Sequence, residues 1–111
     1  MNLSNATLVR IDSPAPAGPA GDVVYTNGPA IAVRCLQDEP TYATKYVLGI
    51  VIAEATAVIF VPTSSGVSFK SDDHVTVTID GGVSLLYQVV YRRDRILPGN
   101  LSHFEVYLKG L

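Results

Sequence analysis

Residues 74–96 carry the pattern that most limits what this chain can fold into. The stretch HVTVTID, residues 74–80, alternates apolar and polar side chains, and a glycine pair separates it from SLLYQVVYRRDRI, residues 84–96. Successive side chains of a β-strand point to opposite faces, so a period of two interrupted by two glycines is typical of antiparallel strands joined by a tight turn. We therefore predict a long β-hairpin in which residues 74–80 pair with residues 84–92.

Four further segments have the composition of strands. They are ATLVRID at residues 6–12, the segment Ala30–Leu36 after the Asn27–Gly28 turn signal, the segment Thr56–Val61, and SHFEVYLKGL at residues 102–111, in which Phe104, Val106 and Leu108 share one face. Five or six strands with short turns in a chain of 111 residues predict one all-β domain. The expected fold is a small antiparallel β-barrel or sandwich with a long polar loop or short helix.

Two segments interrupt this strand pattern. SPAPAGPAG, residues 13–21, is so rich in proline and glycine that we expect an extended arm or loop and no helix or interior strand. QDEPTYATKY, residues 37–46, is polar and contains Pro40. We predict that it forms a projecting loop, or a short helix that begins at Thr41.

The run GIVIAEATAVIFVP, residues 49–62, is the most apolar part of the chain. A membrane-spanning helix requires about 20 apolar residues, and this run is shorter and contains Glu54, so we reject that interpretation. As a strand, it is apolar on both sides, which favours burial on both sides. We expect core packing on one side and a subunit contact involving Ala55, Ala57, Ile59 and Val61, with Glu54 at the rim. A monomer that buries both sides is the alternative.

The residues that catalysis or cofactor binding would require are scarce. His74 and His103 are the only imidazoles and Cys35 is the only cysteine, so we predict no metal site, no disulfide and a buried thiol in a reducing cytoplasm. We interpret Asp72 and Asp73 as turn residues. No phosphate-binding glycine loop occurs, and we expect no cofactor and no catalytic residues.

The only basic cluster is YRRDR, residues 91–95. Net charge is −2, and charged residues make up 16% of the chain against about 25% in an average soluble domain. On a strand, Arg93 and Arg95 point to one side and Arg92 and Asp94 to the other, which favours a subunit contact over a basic stripe for nucleic acid.

Residues 31–111 have an order of features that resembles a family of phage proteins. The features are VRCLQDEPTYATKYVLG, EATAVIFVP, FKSDDHVTVTIDGGVSLLYQVV and LSHFEVYLKGL. In this order they resemble small head-tail joining proteins of tailed bacteriophages, the head-completion or stopper group of the neck.

The resemblance implies a β-barrel subunit of a virion, made in the host cytoplasm and assembled beneath the portal as a homo-oligomeric ring, expected to be a hexamer. Its partners would be neighbouring portal-adaptor and tail proteins, with packaged DNA nearby and no membrane. A loop that includes Asp38, Glu39, Thr41, Tyr42 and Lys45 would enter the channel or contact a partner. The alternatives are a tail terminator, an oligonucleotide-binding barrel with tyrosines as stacking platforms, or a small enzyme that uses His74 or His103 with a carboxylate.

Overall fold

The computed structural model describes residues 4–17, 22–25, 28–40, 55–96 and 102–111, and it confirms the all-β prediction. The only helical element in these ranges is one 3-10 turn, Thr63–Ser65, whereas a membrane-spanning helix needs about 20 residues. The described strands, in chain order, are β1 (Ala6–Asp12), β2 (Pro14–Ala17), β3 (Asp22–Tyr25), β4 (Val33–Asp38), β5 (Ala57–Pro62), β6 (His74–Ile79), β7 (Val83–Arg95) and β8 (His103–Gly110).

Six of these strands close into an antiparallel barrel, which decides between the two predicted architectures. The order around the barrel is β1-β4-β5-β8-β7-β6, and β6 pairs with β1 to complete the ring. Closure removes the unpaired sheet edges on which other chains add strands. Asn5 reinforces the start of β1, because its side-chain amide donates to the carbonyl oxygen of Gln37 at 2.9 Å and its Oδ1 accepts from the Gln37 amide at 2.7 Å.

The predicted hairpin is present as β6 and β7. Its register runs from His74 opposite Gln88 to Ile79 opposite Val83, with Gly81 and Gly82 in the turn. Both glycines have a positive φ, 108° and 104°, a conformation that side chains with a Cβ rarely adopt. The predicted antiparallel pairing is confirmed, but it involves residues 83–88 of β7, and the predicted partners from residue 89 to 92 lie beyond it.

Two strands contain an additional residue that reverses their inside-outside alternation. In β1, Leu8 lies opposite Val77 and Arg10 opposite Thr76, so Val9 has no partner in β6. In β7, Val90 is likewise skipped between two consecutive pairs with β8. Such β-bulges shift every later side chain to the other face of the sheet.

The core fills the barrel interior with aliphatic side chains from all six strands. Leu8, Ile59, Val77 and Leu108 are fully buried and belong to one cluster. Burial of each side chain of this size stabilises the fold by about 1.5–3 kcal/mol relative to leaving it in water. Cys35 belongs to the same cluster at 2% exposure, which confirms its predicted burial.

The described part of the proline-rich segment, residues 13–17, is extended as predicted, and Pro14–Ala17 also pairs with another strand. Strands β2 and β3 form a two-stranded ribbon outside the barrel, with Pro14 opposite Tyr25 and Ala15 opposite Val24. Prolines at alternate positions direct their missing donors to one edge, so the other edge of β2 can pair with β3. Residues 18–21, between the two strands, lie outside the described residues.

The ribbon is attached to the barrel through Tyr25. Its ring stacks on the His74 imidazole with 3.5 Å between the centroids, and its hydroxyl donates to the Asp72 carbonyl oxygen at 2.9 Å. A second attachment follows, where the Gly28 amide donates to the Asp12 carboxylate at 2.7 Å. These contacts hold Tyr25 of β3, and Gly28, against β1 and the start of β6.

Candidate functional site

The four apolar residues expected at a subunit contact lie inside the chain. Ala55, Ala57, Ile59 and Val61 are at most 3% exposed, so a neighbouring chain has no access to their side chains. The last three belong to the barrel core, because β5 directs its odd-numbered positions inward. This corrects the sequence-based assignment.

The outward-facing residues of β5 are Val58 and Phe60. Val58 is buried against Ala55 and Tyr107 in a second, smaller apolar cluster, and Phe60 packs on the edge of that cluster while remaining half-buried. The outer face of β5 is therefore apolar as well, as the sequence predicts. Glu54, expected at the rim of this strand, lies outside the described residues.

Arg93 and Arg95 point to the same side of β7 and share one carboxylate. Arg93 binds Glu105 through Nη2 at 2.8 Å and Nε at 3.1 Å, and Arg95 Nε lies 3.6 Å from the other oxygen. Arg92 and Asp94 form a separate ion pair at 3.1 Å, which agrees with the predicted division of the cluster between faces. Glu105 thus offsets one of the two positive charges, and the division of the cluster between faces leaves no basic stripe.

Glu105 is the central residue of this outer face, and the sequence interpretation did not single it out. It is only 7% exposed, and the Tyr107 hydroxyl donates to its Oε2 at 3.1 Å. His103 Nε2 lies 3.8 Å from Oε1. A signal was available, because Glu105 lies directly opposite Arg93 in the register of β7 and β8, but that register includes the Val90 bulge.

Tyr107 is held as a neutral hydrogen-bond donor at this site. Burial, with the Glu105 charge and the hydrogen bond to it as further causes, raises the pKa of Tyr107 to about 12. Ionisation of the phenol would place a second negative charge beside Glu105. The tyrosine therefore fixes one oxygen of the carboxylate over the whole physiological pH range.

A cleft of about 170 Å³ opens beside Glu105 on the outer face of the barrel. We call it the Glu105 cleft. Its base is apolar, formed by Val58 and Phe60, and Arg93, Glu105 and Tyr107 line one wall. Residues 38–40 form the opposite rim, where the β4 strand ends.

The predicted loop residues fall partly on this rim. Asp38 is the last residue of β4 and Glu39 follows it, and both side chains are exposed. The strand extends further than the predicted Ala30–Leu36, so the polar segment begins after residue 38 instead of at residue 37. Thr41, Tyr42 and Lys45 lie outside the described residues.

The SDDH segment is a turn, as the sequence predicts. Asp73 is 1% exposed, and its carboxylate accepts from the Lys70 amide at 2.9 Å. Asp72 has a φ of 73°, in the left-handed region that aspartate tolerates better than most residues. Within the described residues, no three His, Cys, Asp or Glu side chains converge as they would around a metal ion.

Two of the tyrosines that could serve as stacking platforms, Tyr87 and Tyr91, pack against other side chains of the barrel. Tyr87 is 8% exposed in the barrel core, where its hydroxyl accepts from Gln37 Nε2 at 2.9 Å. Tyr91 packs against Tyr107, with 6.1 Å between the ring centroids. These two side chains are therefore not free to stack on bases, whereas Tyr42 and Tyr46 lie outside the described residues.

Comparison with protein-family models, curated proteins and solved structures finds no match for this chain.

Proposed function

We propose that this chain is a structural subunit of the neck of a tailed bacteriophage. In this proposal it is a head-completion or stopper protein that assembles as a ring, joins the portal region to the tail and helps to retain packaged DNA. The support is the order of motifs along residues 31–111 together with the closed barrel that such a subunit would need. A closed barrel satisfies its own backbone hydrogen bonds, so assembly must use side-chain surfaces.

One observation carries this proposal: an exposed apolar patch at the tip of the β6–β7 hairpin. Val83, Leu85 and Leu86 are 60%, 36% and 47% exposed, and Leu111, whose amide donates to the Leu86 carbonyl oxygen at 3.2 Å, is 60% exposed. We call these four residues the hairpin patch. Val83 and Leu85 share one face of β7 and Leu86 lies on the other, so this end of the hairpin is apolar on both faces, and exposed apolar surface on a small domain is typical of protein-protein contacts.

A ring requires two different complementary surfaces on each subunit, because its contacts are heterologous. The hairpin patch is one candidate surface. The outer face of β5 and β8, with Phe60 and the Glu105 cleft, is another. Both differ from the β5 positions that the sequence suggested, since those side chains are buried within the chain.

The direct test is cryo-electron microscopy of phage particles in which mass spectrometry detects this chain. We expect a ring of six-strand barrels between the portal and the tail. Barrels at the distal end of the tail tube would instead favour the tail-terminator alternative. Absence of the chain from purified particles would contradict a virion role altogether.

A second test separates the proposal from the oligonucleotide-binding alternative. Fluorescence anisotropy of labelled single-stranded DNA should show no specific binding by the free protein at physiological salt. Binding through phosphate contacts would instead weaken steeply as the salt concentration rises. Tight and salt-sensitive binding by the isolated chain would favour the nucleic-acid module.

A further inference from the structure

Among the described residues that line the Glu105 cleft, three are acidic and one is basic, and Arg95 lies beside Glu105 as a further cation. Arg93 and Glu105 compensate each other across the wall of the cleft. Asp38 and Glu39 on the rim are exposed, and within the described residues neither lies in an ion pair. In the described part of the chain, the cleft therefore combines an apolar base with two carboxylates that form no ion pair, of which Asp38 accepts from the Glu39 amide at 2.8 Å.

The size of the cleft selects the kind of ligand. Small-molecule and cofactor sites usually enclose about 300–1,000 Å³. A cleft of about 170 Å³ accommodates a single side chain. A long cationic side chain fits both features, because its methylene groups can cover Val58 and Phe60 while its charged end meets the rim carboxylates.

Lys70 has the charge and the exposure that would complement the Glu105 cleft. Its side chain is exposed, and in the described part of the chain no carboxylate lies within ion-pair distance of it. Its backbone is held in place, because its amide donates to Asp73 Oδ2 at 2.9 Å and its carbonyl oxygen accepts from the Asp73 amide at 3.1 Å. The side chain thus projects from a fixed turn.

Lys70 and the rim carboxylates of the same chain lie beside strands that are not neighbours in the barrel, although β7, the strand next to the Lys70 turn, contributes Arg93 to the cleft wall. Lys70 precedes β6 in a turn that is hydrogen-bonded to Val89 of β7, whereas the rim of the cleft lies at the end of β4. Strands β8 and β5 separate β7 from β4 in the closed sheet. The cation and the carboxylates are therefore placed to meet between two copies.

We propose that Lys70 of one copy inserts into the Glu105 cleft of the next copy, with its ammonium group between Asp38 and Glu39. This contact is heterologous and repeats around a ring, so it rests on the proposed function and specifies one of the ring's interfaces. Because the ion pair would be shielded by Phe60 on one side, it contributes more than an exposed surface pair.

Charge exchange tests the contact. Lys70→Glu and Glu39→Lys should each weaken self-association, measured by sedimentation velocity over a concentration series, by about fivefold to tenfold. The double variant should recover most of the wild-type association. Lys70→Arg is the matched control, which keeps the charge and should associate as tightly as the wild type. Lys70→Met keeps the apolar stem but loses the charge, and its association should be weaker.

Cross-linking of isotopically mixed protein tests the same contact without substitutions. Equal amounts of ¹⁴N- and ¹⁵N-labelled chain are mixed, and a carbodiimide couples the Lys70 amine to a nearby carboxylate. We expect peptides of mixed label that join Lys70 to Asp38 or Glu39. If rings form, all charge variants associate as the wild type does and no such peptide is found, the cleft contact is wrong but the ring is not. A wild-type chain that does not associate under any condition would overturn the ring as well.

Discussion

Cys35 shows how one buried residue makes the stability of the fold depend on pH. Burial raises the pKa of its thiol to about 11 from an ordinary value of 9.0. The unfolded chain therefore loses this proton at lower pH than the folded chain, so the stabilisation is complete below pH 9 and is lost as the pH rises through 11. Over this interval the loss amounts to about 2–3 kcal/mol, at about 1.4 kcal/mol per pKa unit.

We predict that Cys35→Ala flattens the alkaline decline in stability. Urea unfolding between pH 8 and pH 11 should show a steep fall for the wild type and a smaller one for the variant, which loses about 1 kcal/mol at neutral pH by leaving a small cavity. Tyr107→Phe is the control for the interval between pH 9 and pH 10, because it keeps the thiol and removes a phenol whose contribution is lost only above its ordinary pKa of 10.0. If the free energy of unfolding falls equally with pH in the wild type and in Cys35→Ala, the alkaline decline does not come from Cys35.

Glu105 and Asp80 each form a short ion pair with an arginine, but the two carboxylates differ in their exposure to water. Asp80 binds Arg34 at 2.7 Å with 55% of its side chain exposed, whereas Glu105 binds Arg93 at 2.8 Å with 10% exposed. We predict that Glu105→Ala lowers the free energy of unfolding by about 2 kcal/mol, since it leaves Arg93 and the Tyr107 hydroxyl without their acceptor. Asp80→Ala should cost far less because water screens that pair. Urea titrations of both variants at neutral pH provide the comparison, and equal losses would refute it.

At the scale of elements, Gly28 determines how the β2–β3 ribbon rejoins the barrel. A Cβ at this position would overlap the carbonyl oxygen of Ile11, and the Gly28 amide donates to Asp12. Although burial opposes ionisation of Asp12, this hydrogen bond and the guanidinium of Arg10 hold the pKa of Asp12 below its usual value.

We predict that Gly28→Ala destabilises the fold by about 2 kcal/mol, because β1 must shift to accommodate the methyl group. Gly110→Ala is the matched control, since a Cβ there would meet only the Thr56 hydroxyl at 3.9 Å. Thermal unfolding followed by circular dichroism measures both variants. Similar melting temperatures for the two would show that the backbone does not approach Gly28 closely.

The bulge at Val90 determines which face of β7 each of the later side chains occupies. Tyr87 and Val89 face the core, and after the bulge Arg93 and Arg95 face outward to meet Glu105. Without the additional residue, the same strand would direct these arginines toward the interior side. The prediction that Arg93 and Arg95 share a face follows from local alternation, but which face they occupy depends on the bulge.

If the molecule assembles as the proposed ring, some exposed residues should affect subunit association without affecting the stability of the single chain. Leu86 in the hairpin patch is 47% exposed, so Leu86→Ser should change the free energy of unfolding by no more than about 0.5 kcal/mol. If the patch is buried in a ring, the same substitution should weaken association by about fivefold, equal to about 1 kcal/mol. Chemical denaturation and sedimentation velocity on the same preparation test both statements. Unchanged association would remove the hairpin patch from the interface.

Local sequence patterns were enough to predict the six barrel strands, the β6–β7 hairpin, the extended start of the proline-rich segment, the buried thiol and the turn at Asp72 and Asp73, but not the pairing of β2 with β3. Each of these follows from local rules: side-chain alternation along a strand, glycine at positive φ, and the missing amide hydrogen of proline. Only the tertiary structure decided that the sheet closes into a barrel, that Ala57, Ile59 and Val61 fill its interior, and that Glu105 meets Arg93. These features depend on which strands become neighbours and on where a bulge shifts the register, and neither is encoded by any short stretch of residues.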